Sequence, residues 1–230
     1  MIHEATASLK LSMERPPKPV VEGLRGLATT ALADFLKLES VMRYAIRPLW
    51  SPMPRVAGPA FTVRTARHDN LMLHAAIYQA EPGDLIVVEA GDDEMAVAGG
   101  NVCAVAQRRG VAGFIIDGVI RDVSESRAKG FPLFARGLSP IPGGKDGPGD
   151  IGGPITCGGV RVNPGDVVVA DEEGIVVIAR ARAEAVLKDA QAKVAKDAAE
   201  HLDEWRAQAS GPGGEHLAGP RLPELASGPP

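Results

Sequence analysis

Apolar residues in the middle of the chain form short uninterrupted runs bounded by glycine, proline or charged residues. Such runs occupy residues 82–90 (a turn and then a strand), 111–118 and 131–137. Runs of this length without polar alternation are typical of strands buried on both faces. Helical spacing predicts helices over 94–110 and 121–130, between these strands. The alternation predicts a parallel sheet crossed by helices.

The first part of the chain is less regular. The spacing of Leu24, Leu27, Ala31 and Phe35 predicts a helix over residues 23–37. A proline-rich connection follows, and then a strand over 59–63 and a helix over 70–80 are predicted.

The last third changes character. Residues 138–153 are rich in glycine and proline, and no helix or strand is predicted there. Short apolar runs at 155–162, 166–171 and 174–179, separated by turn residues, predict β-hairpins. Residues 181–207 predict an amphipathic helix that packs on the core or on another subunit. Its apolar stripe consists of Leu187, Ala190, Val194, Ala198, Leu202 and Trp205.

These patterns divide the chain into four parts. Residues 1–22 are expected to form an N-terminal arm, residues 23–180 one α/β domain, and residues 181–208 the long C-terminal helix. Residues 209–230 contain little to bury and are expected to be disordered.

Composition excludes several classes of protein. The net charge of -4 and the aromatic content of 4% argue against a nucleic-acid partner. Without an apolar run near the ~20 residues of a bilayer span, no membrane partner is expected. The N-terminus lacks the apolar core of a signal peptide, so we expect a cytoplasmic protein. Cys103 and Cys157 suggest neither a disulfide framework nor a zinc cluster.

One candidate site follows the strand that ends near Asp117. Ligands of open α/β folds bind at the carboxyl edge of the sheet, where Arg121 and Asp122 would open the next helix. An arginine can hold a carboxylate through two hydrogen bonds, and an aspartate can bind a hard divalent cation. An ion pair with helix-capping acids explains the same residues equally well.

The second candidate is the run Gly99-Gly100-Asn101-Val102. Two glycines destabilise a helix interior but suit a bare turn at a helix start, where free backbone N–H groups bind anions. Close packing of a helix on a strand is the alternative. Together with Arg121 and Asp122, this anion site would suit an enzyme that forms an enolate from a 2-oxo acid.

Other reactive residues are weaker candidates. Lys145 would suit a Schiff-base aldolase, but it lies in a Gly/Pro-rich segment that favours an exposed loop. His74 and Cys103 are interpreted as structural residues. Residues 171–173, which are all acidic, indicate either a β-turn or acids that complete the metal site of a neighbouring subunit.

Residues 82–178 resemble the RraA-like family, which includes 4-hydroxy-4-methyl-2-oxoglutarate/4-carboxy-4-hydroxy-2-oxoadipate aldolases and the regulator of ribonuclease E activity. Looser similarity extends the resemblance to about residues 23–180. The matching motifs are Gly99-Gly100-Asn101-Val102, RRGVAGFIIDGVIRD (108–122), GFPLFARG (130–137) and VNPGDVVVADEEGIVVI (162–178).

The resemblance implies a fold and a set of roles. The fold would be a three-layer β/β/α sandwich of the swivelling-domain type, assembled as a trimer or hexamer with sites between subunits. Arg121 would bind the substrate and stabilise its enolate, and Asp122 would ligate Mg²⁺ or Mn²⁺. The pyruvyl carboxylate would bind to the backbone amides of Gly99, Gly100, Asn101 and Val102.

The chain departs from some family members at Gly100, where those aldolases carry an aspartate. Other members carry glycine there and an acid three residues after the metal-binding aspartate. In this chain that acid is Glu125, which shares a helix face with Asp122. Glu125 is therefore either a second acid near the metal or an ordinary solvated glutamate.

The leading hypothesis is a class II aldolase that cleaves 4-hydroxy-2-oxo acids to pyruvate through a metal-stabilised enolate, with oxaloacetate decarboxylation at the same site. The alternative is a non-catalytic protein-binding regulator resembling the ribonuclease E inhibitor. The residues Arg121, Asp122 and Glu125 argue against a pure binder. A methyltransferase activity finds no support, because no glycine-rich nucleoside-binding loop follows the first strand.

Overall fold

The apolar runs of the middle of the chain are neighbouring strands of one sheet in the computed structural model, which describes residues 8–9 and 13–199. The strands are β1 (Ser8–Leu9), β2 (Arg47–Pro48), β3 (Val56–Thr65), β4 (Leu85–Glu89), β5 (Gly113–Ile120), β6 (Leu133–Leu138), β7 (Gly149–Ile151), β8 (Ile155–Cys157), β9 (Val160–Val162), β10 (Val167–Ala170) and β11 (Ile175–Ile178). The helices are α1 (Lys18–Arg25), α2 (Thr29–Ala33), α3 (Leu71–Gln79), α4 (Gly100–Arg108), α5 (Val123–Ala128) and α6 (Ala183–Ala199). Two 3₁₀ turns occupy Leu38–Ser40 and Arg180–Arg182.

Four parallel strands form the centre of the sheet, in the order β3, β4, β5, β6. Their register pairs Ala60 with Leu85, Leu85 with Gly113, and Phe114 with Leu133. Helix α3 connects β3 to β4, α4 connects β4 to β5, and α5 connects β5 to β6. The predicted alternation of strands and helices is therefore confirmed, and it aligns the carboxyl ends of these strands along one edge.

Two apolar cores lie on opposite faces of this sheet. On one face, α3 and α4 pack against residues such as Ile86, Phe114 and Ile116. On the other face, the hairpins β8–β9 and β10–β11 pack against Val87 and Ile115. Alternate residues of each strand thus enter different cores, which explains the unbroken apolar runs. This arrangement is the predicted α/β fold with β, β and α layers.

A third core covers the outer face of the β10–β11 hairpin. It is formed by α1, α2 and the beginning of α6, and it buries Leu24, Leu32, Val176, Ile178 and Ala190.

The chain divides into two units after Ala190, residues 1–190 and 191–230. Of the second unit, the structure describes only the continuation of α6 to Ala199, in which Val194 is exposed. Leu202, Trp205 and the predicted disordered tail lie outside the described residues.

The single helix predicted over residues 23–37 is wrong. Helix α1 begins at Lys18, within the expected N-terminal arm, and ends at Arg25, after which α2 begins at Thr29. The break arises because Asp171 accepts hydrogen bonds from the Thr29 backbone N–H at 3.0 Å and from Thr29 Oγ1 at 2.6 Å. An acid 142 residues away thus caps the second helix, and the sequence pattern does not show it.

Two other predictions differ from the structure. Helix α4 begins at Gly100, not at residue 94, because residues 96–98 hydrogen-bond outward to neighbouring segments. The Ala96 N–H donates to the Ile141 carbonyl oxygen at 2.7 Å, and the Val97 N–H to Val119 at 3.0 Å. Residues 138–153, predicted without regular structure, contain β7, which pairs antiparallel with β3. The glycine-rich segment is therefore ordered by backbone hydrogen bonds.

Candidate active site

Arg121 and Asp122 form the turn between the end of β5 and the start of α5. Asp122 has φ 59° and ψ 36°, which is the left-handed conformation. Aspartate adopts this conformation more readily than most residues, because its short polar side chain can bond locally. The turn places the Arg121 and Asp122 side chains at the carboxyl edge of the parallel strands, where ligands of such sheets bind.

The two glycines form the start of α4, which is one of the two interpretations left open for them in the sequence. Gly99 is the N-cap residue and Gly100 the first helical residue. The Arg121 N–H donates to the Ala98 carbonyl oxygen at 3.0 Å, which holds this turn against the end of β5. The helix therefore presents its first amides to the residues that follow the neighbouring strand.

One of these amides is already engaged by the protein. The Gly100 N–H donates to Asp122 Oδ2 at 3.1 Å. Among the described residues, the N–H groups of Asn101 and Val102 have no acceptor, as is usual in the first turn of a helix. Of the four amides predicted to bind an anion, that of Gly100 is therefore occupied by Asp122, and an anion would bind to the others.

A side chain at either glycine would displace neighbouring side chains. A Cβ at residue 99 would lie 2.8 Å from Asp122 Oδ2 and 3.2 Å from Arg121 Nε. A Cβ at residue 100 would lie 3.0 Å from Glu125 Oε1 and 2.5 Å from Glu125 Cδ. The guanidinium and both carboxylates therefore pack directly against the backbone of the helix start.

The charges around this turn balance one another. Arg121 Nε lies 3.6 Å from Asp122 Oδ2, and both side chains are about two-fifths exposed, at 43% and 41%. Glu125 lies 3.3 Å from Lys129 Nζ, one helical turn along α5. Among the described residues, Asp122 Oδ1 accepts no hydrogen bond, since the contact with Gly100 uses Oδ2. Oδ1 is therefore the oxygen at this turn that is free to bind a cation or a hydrogen-bond donor from outside the protein.

A cavity of about 190 Å³ opens in front of these residues. It brings together six of the seven predicted site residues, and Glu125 is the exception because it contacts Gly100 without lining the cavity. The cavity is lined by Asn70, His74, Ala96, Ala98, Gly99, Gly100, Asn101, Val102, Arg121, Asp122, Pro142, Gly143 and Lys145. Three of these polar residues, Asn70, His74 and Lys145, were not predicted to belong to the site.

Lys145 reaches the cavity because its loop is fixed by Asp69. Asp69 Oδ2 accepts the N–H groups of Asp146 and Gly147, each at 2.8 Å, and Oδ1 accepts the N–H of Leu71 at 2.8 Å. Burial disfavours the charged form of Asp69, but the N–H groups of Gly147, Leu71 and Asp146 outweigh it and lower the pKa. Lys145 lies, as predicted, in an exposed loop, and Asp69 holds the backbone of this loop in place.

His74 lies one helical turn beyond Asn70 on the same side of α3. Burial lowers the pKa of His74, and the positive charge of Lys145 lowers it further, whereas Asp69 opposes the shift. The imidazole is therefore neutral at pH 7, and Lys145 provides the positive charge on this side of the cavity. His74 was interpreted as a structural residue, and a cavity-lining position could not be recognised from its helical spacing.

Several other acids and thiols have structural roles. Asp117 lies within β5, not at its end, and binds the Arg136 guanidinium and the Gly158 N–H. Asp171 caps α2, as described above. Cys103 is buried, and burial raises the pKa of its thiol to about 11, so it is unsuited to act as a nucleophile.

Glu172 accepts hydrogen bonds from Ser51 Oγ at 2.6 Å and from the Met53 N–H at 3.0 Å. Together with the cap made by Asp171, these contacts favour the turn interpretation of residues 171–173 over a metal site. In the described part of the chain, no helix is both long and apolar enough to cross a bilayer.

The fold and the cavity define an α/β protein with a polar cavity at the carboxyl edge of a parallel sheet. Residues 29–177 match the family described as RraA-like, Aldolase/RraA. The chain belongs to this family.

Individual proteins of different descriptions are similar to this chain. A candidate 4-hydroxy-4-methyl-2-oxoglutarate aldolase of Halalkalibacterium halodurans is 43% identical over 176 residues, which are 76% of this chain and 83% of that protein. A Streptomyces coelicolor member of the RNase ES inhibitor RraA family is 27% identical, with a TM-score of 0.71 over 86% of this chain and 98% of that one. A Geobacillus kaustophilus structure described as an S-adenosylmethionine:2-dimethylmenaquinone methyltransferase is 32% identical, with a TM-score of 0.60 over 66% and 95%. The curated relative supports an aldolase at the level of the family.

Proposed function

We propose that the protein is a divalent-metal-dependent lyase, a class II aldolase that cleaves 4-hydroxy-2-oxo acids such as 4-hydroxy-4-methyl-2-oxoglutarate. One observation carries this proposal. A single cavity collects the free amides of α4, the Arg121 guanidinium and an Asp122 carboxylate with an oxygen that no described residue engages. These are a carboxylate-binding group, a donor for a developing oxyanion and a ligand for a hard cation.

The residues present fit Mg²⁺ or Mn²⁺. Asp122 and Glu125 flank Gly100 from two sides, and both offer the hard oxygen ligands that these ions prefer. In the described part of the chain, no three acidic, histidine or cysteine side chains converge on one point. Mg²⁺ does not require such a cluster, because it is commonly bound by one or two carboxylates with water and substrate completing its shell. A bound cation would supply a Lewis acid that polarises the 2-oxo group.

In the cleavage, the substrate's 4-hydroxyl gives its proton to solvent water and the C3–C4 bond breaks. C4 becomes the carbonyl carbon of the released 2-oxo acid, and the electron pair of the broken bond passes to the 2-oxo oxygen. Arg121 would donate hydrogen bonds to this oxygen as it gains negative charge, and the amides of α4 would hold the neighbouring carboxylate. A proton then adds at C3 to give pyruvate.

Oxaloacetate decarboxylation would use the same residues. Loss of carbon dioxide from C3 leaves the same electron pair next to the 2-oxo group, so Arg121 would stabilise the same charge. The pyruvate half of both substrates is identical, and it is this half that the α4 amides and Arg121 would bind. We therefore propose oxaloacetate decarboxylation as a second activity of this site.

A coupled assay tests the proposal. The purified protein is given Mg²⁺ and either 4-hydroxy-4-methyl-2-oxoglutarate or oxaloacetate, and pyruvate is followed with lactate dehydrogenase. We expect turnover that EDTA abolishes and Mg²⁺ or Mn²⁺ restores. Full activity after exhaustive chelation would overturn the metal-dependent mechanism.

Two variants separate the roles at the turn. Arg121→Ala is expected to lower kcat by roughly 10²–10³-fold, as for the loss of one oxyanion donor, with little change in Mn²⁺ affinity. Asp122→Ala is expected to weaken Mn²⁺ binding itself. The exposed residues Arg127 and Asp189 provide matched controls, since each alanine variant removes the same charge elsewhere on the chain. Loss of metal binding in Arg121→Ala, with normal binding in Asp122→Ala, would contradict these roles.

A non-catalytic regulator is the second candidate. The solved inhibitor relative supports it, and so do two exposed apolar side chains near the turn, Leu138 and Ile141. Leu138 lines a second cavity of about 290 Å³ together with Arg121 and Asp122. Absence of turnover with every 2-oxo acid, in a protein that still binds Mn²⁺, would favour the regulator.

A further inference from the structure

One wall of the cavity is unused by the proposed binding of the pyruvate half. Asn70 forms it from the N-cap of α3, His74 from the first turn of this helix, and Lys145 from the loop that Asp69 fixes. The loop reaches α3 through backbone bonds, with the Asn70 N–H donating to the Gly144 carbonyl oxygen at 2.9 Å. The wall is therefore part of the ordered fold.

Asn70 carries a polar atom that the protein leaves unsatisfied. The residue is only 6% exposed, and its Nδ2 donates to the Gly143 carbonyl oxygen at 3.4 Å. Its Oδ1 is buried without a hydrogen-bond donor among the described residues. A buried acceptor without a donor destabilises a protein, so a ligand that brings a donor to Asn70 Oδ1 would relieve this cost.

Lys145 carries a charge that the protein does not neutralise. Among the described residues it forms no ion pair, and the nearby carboxylate of Asp69 is already occupied by three backbone N–H groups. The neighbouring His74 is neutral at pH 7, so Lys145 is the cation of this wall. The cavity thus has two positive groups, Arg121 beside the α4 amides and Lys145 beside Asn70 and His74.

We propose that Asn70 and Lys145 form a second subsite, which binds the far end of a dicarboxylic 4-hydroxy-2-oxo acid. Lys145 binds the carboxylate attached to C4, and Asn70 Oδ1 accepts a hydrogen bond from the 4-hydroxyl. Lys145 is thereby a specificity-determining residue that favours dianionic over monoanionic substrates. This inference rests on the proposed function, because it takes the orientation of the substrate from the binding of its pyruvate half.

Two stable acids of equal chain length test the subsite by binding alone. 2-Oxoglutarate carries the second carboxylate and 2-oxopentanoate lacks it, and neither has the 4-hydroxyl that cleavage requires. Their dissociation constants are measured by calorimetry in Mg²⁺ for the wild type, Lys145→Met and Lys145→Arg. Lys37→Met is the control, since Lys37 is an exposed lysine that does not line the cavity.

We expect Lys145→Met to weaken 2-oxoglutarate binding about tenfold, or about 1.4 kcal/mol, and to leave 2-oxopentanoate binding unchanged. Lys145→Arg should retain most of the preference, because it keeps the charge, and Lys37→Met should retain all of it. Equal losses for both acids, or no loss for either, would overturn the subsite.

The same variants distinguish this inference from the proposed function. If the wild type cleaves no 4-hydroxy-2-oxo acid but still shows a Lys145-dependent preference for 2-oxoglutarate, the aldolase proposal fails and the subsite stands. If the wild type is an active aldolase whose preference for dicarboxylic substrates survives Lys145→Met, the aldolase stands and the subsite fails. For Asn70→Ala, we expect kcat/KM to fall for 4-hydroxy substrates while 2-oxoglutarate binding is retained.

Discussion

Replacing Gly100 with alanine tests the arrangement at the start of α4 with one added atom. The new Cβ would lie 2.5 Å from Glu125 Cδ. Ordinary contact between carbon atoms needs about 3.5 Å, so the carboxylate must move by roughly 1 Å. Glu125 is 53% exposed and flexible, which makes this movement inexpensive. Alanine also gains up to about 1 kcal/mol over glycine in a helix, so we expect the free energy of unfolding to be equal or higher.

Metal binding should respond in the opposite direction. If Glu125 orders the water around a cation held by Asp122, its displacement should weaken Mn²⁺ binding by roughly 10–100-fold, the usual effect of disturbing groups around metal ligands. Urea unfolding and Mn²⁺ calorimetry on the same sample measure both effects. Gly153→Ala is the control, because a Cβ there meets no atom within 4 Å. Unchanged Mn²⁺ affinity in Gly100→Ala would refute the placement of Glu125 near the metal.

Moving the carboxylate from residue 125 to residue 100 extends this test. Gly100→Asp alone brings a second carboxylate against Glu125, and Glu125→Ala alone removes the existing one. Both single variants should bind Mn²⁺ less tightly, whereas the double variant should recover affinity because the introduced aspartate can use the vacated space. Since residues in contact are not additive, we expect an interaction free energy of about 1 kcal/mol or more. Additive losses would show that the two positions do not share one space.

Two further predictions concern stability and assembly. Burial opposes the charged form of Asp171, but hydrogen bonds from Thr29 and Arg55 outweigh it and lower the pKa of this carboxyl. The charged form therefore stabilises the fold above the unfolded pKa of about 3.9. This stabilisation is lost as the pH falls through the folded pKa. Asp171→Asn should therefore lower the free energy of unfolding at pH 7 by about 1.5–3 kcal/mol. The difference in unfolding free energy between wild type and variant should narrow at about pH 3.5. An equal difference at both pH values would contradict this. We also propose a homotrimer or homohexamer, and a monomer in light scattering at micromolar concentration would count against it.

The parallel sheet could be predicted because its signal is local. Each central strand contains a run of apolar residues, and the glycine pair at residues 99 and 100 was one indication of a helix start, although the helix itself was predicted from residue 94. Arg121 and Asp122 were predicted to open the next helix, but they form the turn before it, because β5 extends to Ile120, two residues beyond the predicted strand. In these regions the residues that determine the structure are neighbours in the sequence.

The features that were missed depend on contacts between distant parts of the chain. The break between α1 and α2 depends on Asp171, and the order of the loop around Lys145 depends on Asp69, which lies 77 and 78 residues before the amides it binds. A Gly/Pro-rich run without periodicity predicts a loop but cannot show what fixes that loop. The sequence therefore could not predict that Asn70, His74 and Lys145 line the same cavity.

The left-handed turn at Asp122 places two separate demands on one position. The backbone at φ 59° favours glycine, asparagine or aspartate, whereas a cation would require a carboxylate. Only aspartate meets both demands, and glutamate, despite its carboxylate, is poorly suited to the backbone. A lineage that no longer needed the chemistry could drift to glycine or asparagine here and keep its fold. Glycine or asparagine at position 122 in a relative would then indicate that the activity was lost while the fold was kept.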